Sequence, residues 1–138
     1  MKEFTNEQGN LVVLKLGEEL HEMLGNYARE HELTSAWVEG LGSASHMTLG
    51  YYKLEERQYE WKDFGETHEI LSLQGNLAWI GGEPVWHIHG VFGSSDFSTV
   101  GGHVKRMIVG PTCELHITPL EAPLTRVFDD ETGLKLLS

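Results

Sequence analysis

Val85-Trp86-His87-Ile88-His89-Gly90-Val91-Phe92 is the stretch on which the reading of this chain turns. It reads as a strand, and on a strand alternate residues share a face. His87 and His89 then lie with Val85 and Val91, while Trp86, Ile88 and Phe92 lie opposite. Both faces are otherwise apolar, which predicts a central strand. Two imidazoles on such a strand need a reason, because each carries two ring nitrogens that must find partners once water is removed.

Beyond Phe92 the chain enters a loop, Gly93 to Val100, rich in Gly, Ser and Thr, and then Gly101-Gly102-His103. Two glycines permit sharp backbone conformations and close approach, enough to bring His103 back toward the pair. The pattern is H-x-H-x(13)-H. A single strand histidine is usually a hydrogen-bonded core residue. Two at i and i+2, with a third behind Gly-Gly, point to a metal centre of His87, His89 and His103. Three imidazoles leave a zinc ion, or another divalent metal, one open position for water or substrate, the arrangement of catalytic zinc sites.

Outward from this segment the pattern is mostly strands. Leu11–Leu16, Ser35–Glu39, Thr48–Leu54, His68–Leu73, Val104–Val109, Glu114–Thr118, Leu124–Phe128 and Leu134–Leu137 read as such, with Gln58–Trp61 as a short edge strand. A Gly/Ser-rich turn, Gly40-Leu41-Gly42-Ser43-Ala44-Ser45, divides the second from the third. Leu20, Met23, Leu24, Tyr27 and Ala28 recur at helical spacing, so Glu18 to about Glu32 is an amphipathic helix packed on a sheet. Short links such as Gly81-Gly82-Glu83-Pro84 favour hairpins over parallel crossovers. The expected fold is α+β: a mainly antiparallel sheet with one main helix, in one domain over 1–138.

The 138 residues suffice for one domain with its own core. A formal net charge of −11 repels phosphate backbones and anionic lipid surfaces. A lone cysteine, Cys113, excludes an intramolecular disulfide and suits a reducing compartment. The polar stretch Met1 to Asn10 lacks the apolar core of a signal peptide, and no window is long enough to span a membrane. These features read as a cytoplasmic, soluble protein.

In Thr67–Leu73 strict alternation places Glu69 on one face with Leu71 and Leu73. A carboxylate there would have a raised pKa and act as a general acid/base beside a metal-bound water. The competing reading is a structural glutamate bonded to an amide, an arginine or a neighbouring subunit. Cys113 has no cationic neighbour to activate it and reads as an inert core thiol. His21, His31, His46, His68 and His116 read as surface or hydrogen-bonded histidines.

Gly42-Ser43, Leu49-Gly50-Tyr51-Tyr52, Glu69-Ile70-Leu71-Ser72-Leu73-x-Gly75-Asn76, His87-x-His89, Gly101-Gly102-His103 and Pro111-Thr112-x-Glu114 occur in this order. The chain thereby resembles the PPC domain, the plants and prokaryotes conserved domain, also called the domain of unknown function 296. The resemblance implies an antiparallel sheet of about seven strands, a flanking helix and a homotrimer. Plant members carry an Arg-Gly-Arg-Pro AT-hook, which this chain lacks; prokaryotic members are called DNA-binding by that association, and the acidic balance argues against DNA here. The domain is also similar in fold to acetolactate decarboxylase, a zinc enzyme with an H-x-H…H site. That likeness maps onto His87, His89 and His103, with Glu69 beside them. No motif places the decarboxylase's catalytic arginine; Arg57, Arg106 and Arg126 are the candidates.

Three functions are expected to compete: metal-dependent chemistry on a small keto or hydroxy acid, a DNA-associated regulator, and a ligand sensor or assembly module with a structural metal. An open metal position in an ordered pocket favours the first, a concentrated basic patch the second, and a fourth protein ligand the third.

Overall fold

A computed structural model describes residues 1–6 and 9–138, with the side chain of Asn6 also outside the description. The order is β1 (Lys2–Asn6), β2 (Gly9–Lys15), α1 (Leu20–Glu30), β3 (Ala36–Lys53), β4 (Gln58–Phe64), β5 (His68–Ile80), β6 (Glu83–Gly93), β7 (Thr99–Pro119), β8 (Arg126–Asp129) and β9 (Leu134–Leu137). Seven strands form one sheet in the order β1-β2-β7-β6-β5-β3-β4, every strand pairing being antiparallel. β7 also pairs with β3, so β3, β5, β6 and β7 close into a ring. β8 and β9 make a separate hairpin.

The expected α+β architecture is therefore present, with differences at the long strands. Ser35–Glu39 and Thr48–Leu54 are parts of one strand, β3, and the Gly/Ser-rich segment between them continues the ladder. Register shifts at Gly40/Gly42, Gly42/Ala44 and Ala44/His46 bend it there, and Gly42 takes φ +140°, a value L side chains rarely adopt. His46 accordingly lies within this strand. Val104–Val109 and Glu114–Thr118 likewise join in β7, where Gly110 and Pro111 fall between the pairs Ala44↔Val109 and Gly42↔Cys113. Pro111 needs no ladder partner at such a bulge. β1 was hidden in the polar N-terminal stretch; it pairs with β2 as an edge hairpin.

Helix α1 starts at an N-cap in which the Glu19 carboxylate accepts from the Glu22 amide at 2.7 Å. Its stripe Leu20, Leu24, Tyr27 and Ala28 is fully buried. The Trp86 indole N–H donates to the Leu24 carbonyl at 3.0 Å, locking the helix onto β6. The helix covers the face of β6 that carries Trp86, Ile88 and Phe92, all buried. Within the chain β6 is central by its place in the sheet, yet its other face is covered only in part; Val91 there is 43% exposed. The histidines stand on this second face, with His87 and His103 half-buried and His89 exposed.

Candidate metal centre

One hairpin builds the site. β6 and β7 pair without a register slip, and His89 sits directly opposite His103. The turn between them is closed by Asp96, whose carboxylate accepts from the Ser98 amide at 2.9 Å and from the Ser94 hydroxyl at 2.7 Å. Gly101 and Gly102 do not turn the chain: they lie in the ladder opposite Val91 and Gly90. The half of the expectation that holds is close approach. A Cβ on Gly102 would lie 2.8 Å from the Gly50 carbonyl of β3, so β3 can reach His103, its neighbour opposite Gly50, only past a bare backbone.

The three imidazoles converge. The His87 and His89 Nε2 atoms are 3.1 Å apart, and one ring nitrogen from each of His87, His89 and His103 lies within 4.8 Å of the others. Tetrahedral zinc with nitrogen ligands near 2.0–2.1 Å requires about 3.3–3.4 Å between donors. His103 Nδ1 is buried with no protein partner, the kind of polar atom that native interiors rarely leave unmatched. The donor set therefore fits a borderline-soft divalent cation, and among the described residues no carboxylate or thiol completes a fourth position.

Electrostatics favours the neutral ligand form. Burial, then the neighbouring His89, then Arg126, push the His87 pKa down to about 4. Burial, followed by His87, His89, His21 and Arg126, pushes His103 down to about 4 as well. An aromatic wall on β4 flanks the rings: Tyr59 lies 5.0 Å from His103 by ring centroids and stacks on Trp61 at 4.5 Å. Trp61 lies across Gly50, where a Cβ would run into its ring.

The structure does not bring Glu69 to this cluster. A register shift between Ile70 and Ser72 breaks the alternation that placed it with Leu73, and Glu69 is exposed. It pairs with Gly93, whereas His89 faces Gln74. Five residues of extended strand separate those positions, about 16 Å. Of the three arginines only Arg126 lines the cavity beside His87 and His103; Arg106 sits on the exposed β7 edge opposite Thr48 and Arg57 in the β3–β4 turn. Sequence patterning gave no reason to choose Arg126, since it arrives from the C-terminal hairpin. Four of the other five histidines are engaged: His21 with the Val104 carbonyl at 2.8 Å, His68 with the Glu66 carbonyl at 2.9 Å, and His31 and His116 beside Glu3 and Glu39.

Comparison with known proteins agrees with this architecture. The Plants and Prokaryotes Conserved (PCC) domain, the PPC domain named above, matches residues 1–121. A crystal structure from Ralstonia eutropha JMP134, described provisionally as a DNA-binding protein, shares 30% identity over 99% of this chain and 95% of its own, with a TM-score of 0.92. A metal-containing protein from Archaeoglobus fulgidus shares 33% identity over 100% of this chain and 99% of its own, at 0.88. Acetolactate decarboxylase from Bacillus subtilis subspecies spizizenii shows the fold alone, at 12% identity over 84% of this chain and 54% of that one, with a TM-score of 0.60. No curated protein matches the sequence significantly. With the profile spanning most of its length, the chain belongs to the Plants and Prokaryotes Conserved domain family.

Proposed function

We propose that the protein is a homotrimeric zinc protein whose metal, held by His87, His89 and His103, presents an open position to a small oxygen-bearing ligand such as a keto or hydroxy acid. The observation that carries this is the convergence of three imidazoles with ring nitrogens within 4.8 Å, beside a cavity. Zinc is the metal that best suits an all-imidazole, three-coordinate protein set. When bound it would supply Lewis acidity to a ligand oxygen. The metal-containing relative supports the reading by analogy. Glu69 has no place at this centre within one chain, so a general acid/base role for it would need a neighbouring subunit. The lone buried thiol suits a reducing, cytoplasmic setting.

Elemental analysis of the purified protein tests it. About one divalent ion per chain is expected, and the double variant His87→Ala with His89→Ala should lose it. Full occupancy in that variant would defeat the assignment.

A further inference from the structure

Beside His87 and His103 lies a cavity of about 260 Å³ whose wall comes partly from the C-terminal hairpin: Arg126, Leu134 and Leu136 line it together with Tyr59 and Val85. The hairpin is pinned in place. The Tyr52 hydroxyl donates to the Thr132 carbonyl at 2.6 Å, and the Trp79 amide donates to the Leu124 carbonyl at 3.1 Å. These residues lie beyond the stretch 1–121 that defines the family, so family membership alone says nothing of this wall.

Arg126 is the unusual group in it. Its Nη2 donates to Asn76 Oδ1 at 2.7 Å and its Nη1 to the Lys135 carbonyl at 3.2 Å. Its Nε is buried and has no partner. Among the described residues no carboxylate forms an ion pair with it, although the chain carries 21 acidic against 10 basic residues. A half-buried guanidinium without an anion is costly, and a second cation bound by the adjacent imidazoles would raise that cost. An anion placed between the two relieves both. A carboxylate matches the planar fork of a guanidinium better than any spherical ion. Lys135 and Tyr59 also line the cavity, the rest of its wall is apolar, and the volume is at the small end for ligand sites, which suits a short side chain.

We propose that Arg126 is the specificity-determining residue of this site, receiving the carboxylate of a small 2-oxo or 2-hydroxy acid whose adjacent oxygen meets the metal. Asn76, opposite His87 in the β5–β6 ladder, positions the guanidinium. The inference rests on the metal reading above and narrows its ligand to a short-chain carboxylate.

Cobalt-loaded protein, whose visible bands report the metal's ligands, separates the two. Lactate and lactamide share the 2-hydroxyl and differ in charge. Lactate should perturb the bands and bind at least tenfold more tightly than lactamide. Arg126→Gln should weaken lactate by about tenfold to a hundredfold, as expected for loss of a charge-assisted bond, while lactamide affinity changes far less and cobalt loading, relieved of the guanidinium's repulsion, does not fall. Arg126→Lys, which keeps the charge and loses the fork, should fall between, and it carries the test if the glutamine variant does not fold. Cobalt bands with equal lactate affinity in wild type and variants would overturn the role of Arg126 and leave the metal centre standing. Absence of cobalt bands in the wild type would overturn the metal centre, and this inference with it.

Discussion

At His87 and His103, protons and metal compete for the same ring lone pairs. A histidine of ordinary pKa, near 6.5, begins to lose that competition just below neutrality. Here burial and mutual repulsion hold both rings down to about 4. The sign follows: a lowered pKa means no proton to displace at pH 5 to 6, so affinity at these two positions stays level there and drops only as pH approaches 4. Zinc or cobalt affinity measured calorimetrically from pH 7.5 to 4.5 should therefore fall by less than the hundredfold per pH unit that two ordinary imidazoles would impose. A loss of that steepness between pH 6.5 and 5.5 would show that the rings are not desolvated as described. Cys113 shows the opposite effect of burial. Loss of solvent, then the charge of Glu114, push its thiol up to about 12, and its side chain is inaccessible. At pH 8 the thiolate is then a minute fraction, and a disulfide reagent should react with Cys113 only as fast as the protein opens. Rapid stoichiometric labelling of native protein at that pH would contradict the burial.

Among the elements, the β6–β7 hairpin was readable because its residues keep strict alternation up to an Asp-centred turn. Period-two reading put His87 and His89 on one face correctly, and the H-x(13)-H spacing is the separation that places His89 opposite His103 across an unslipped hairpin. Where alternation breaks, reading fails for the same reason. The bulges in β3 and β7 mimic turns because each inserts small residues or proline out of phase. The shift in β5 between Ile70 and Ser72 turned Glu69 from an apparent inward carboxylate into an exposed one. β1 was invisible because an edge strand, half solvated, can be mostly polar, with Phe4 its one apolar residue. The role of Arg126 depends on where a separate hairpin docks, which periodicity does not encode. Gly75 tests how tightly the ladder holds the site. It lies opposite Ile88, and a Cβ there would meet the His87 carbonyl and approach the Ile88 Cγ1 to 2.8 Å. Gly75→Ala must push β5 and β6 apart. It should cost about 1–3 kcal/mol in urea unfolding, as overpacking does, and should weaken metal binding by displacing His87. A variant as stable as wild type would mean that these strands are not so closely apposed.

For the whole molecule the open face of the sheet decides how the chain behaves with others. Leu41 and Leu71 are each 56% exposed, and they line with Leu11 a groove of about 360 Å³; a second hollow, lined by His89 and Val91, adjoins it through Ser72 and Gln74. Exposed leucines beside such hollows, rimmed by Glu39, Glu114 and His116, are surface that a second copy of the chain could cover. A cyclic trimer would bury it with one repeated contact and no open end. Light scattering at micromolar concentration should return about three times 15.5 kDa, and Leu41→Glu with Leu71→Glu should return a single chain. A wild-type monomer would exclude the trimer. Assembly then sharpens the question of DNA. A trimer of chains at −11 would carry −33, a field that opposes a phosphate backbone. The topology does place Lys62 of β4 and Lys105 and Arg106 of β7 on either side of the same stretch of β3. Lys105 lies over the Trp61 ring, however, and Asp63 shares the β4 edge. Three such cations would release too few counterions to offset the field, since proteins with strong salt-dependent affinity engage some 6–10 phosphates. The protein is therefore expected to bind duplex DNA no more tightly than roughly 10⁻⁵ M at physiological salt. Neutralising the patch by Lys62→Ala with Lys105→Ala should change that value little. Nanomolar binding in a titration at that salt, lost in the double variant, would show instead that this small patch outweighs the acidic surface around it and that DNA is a partner.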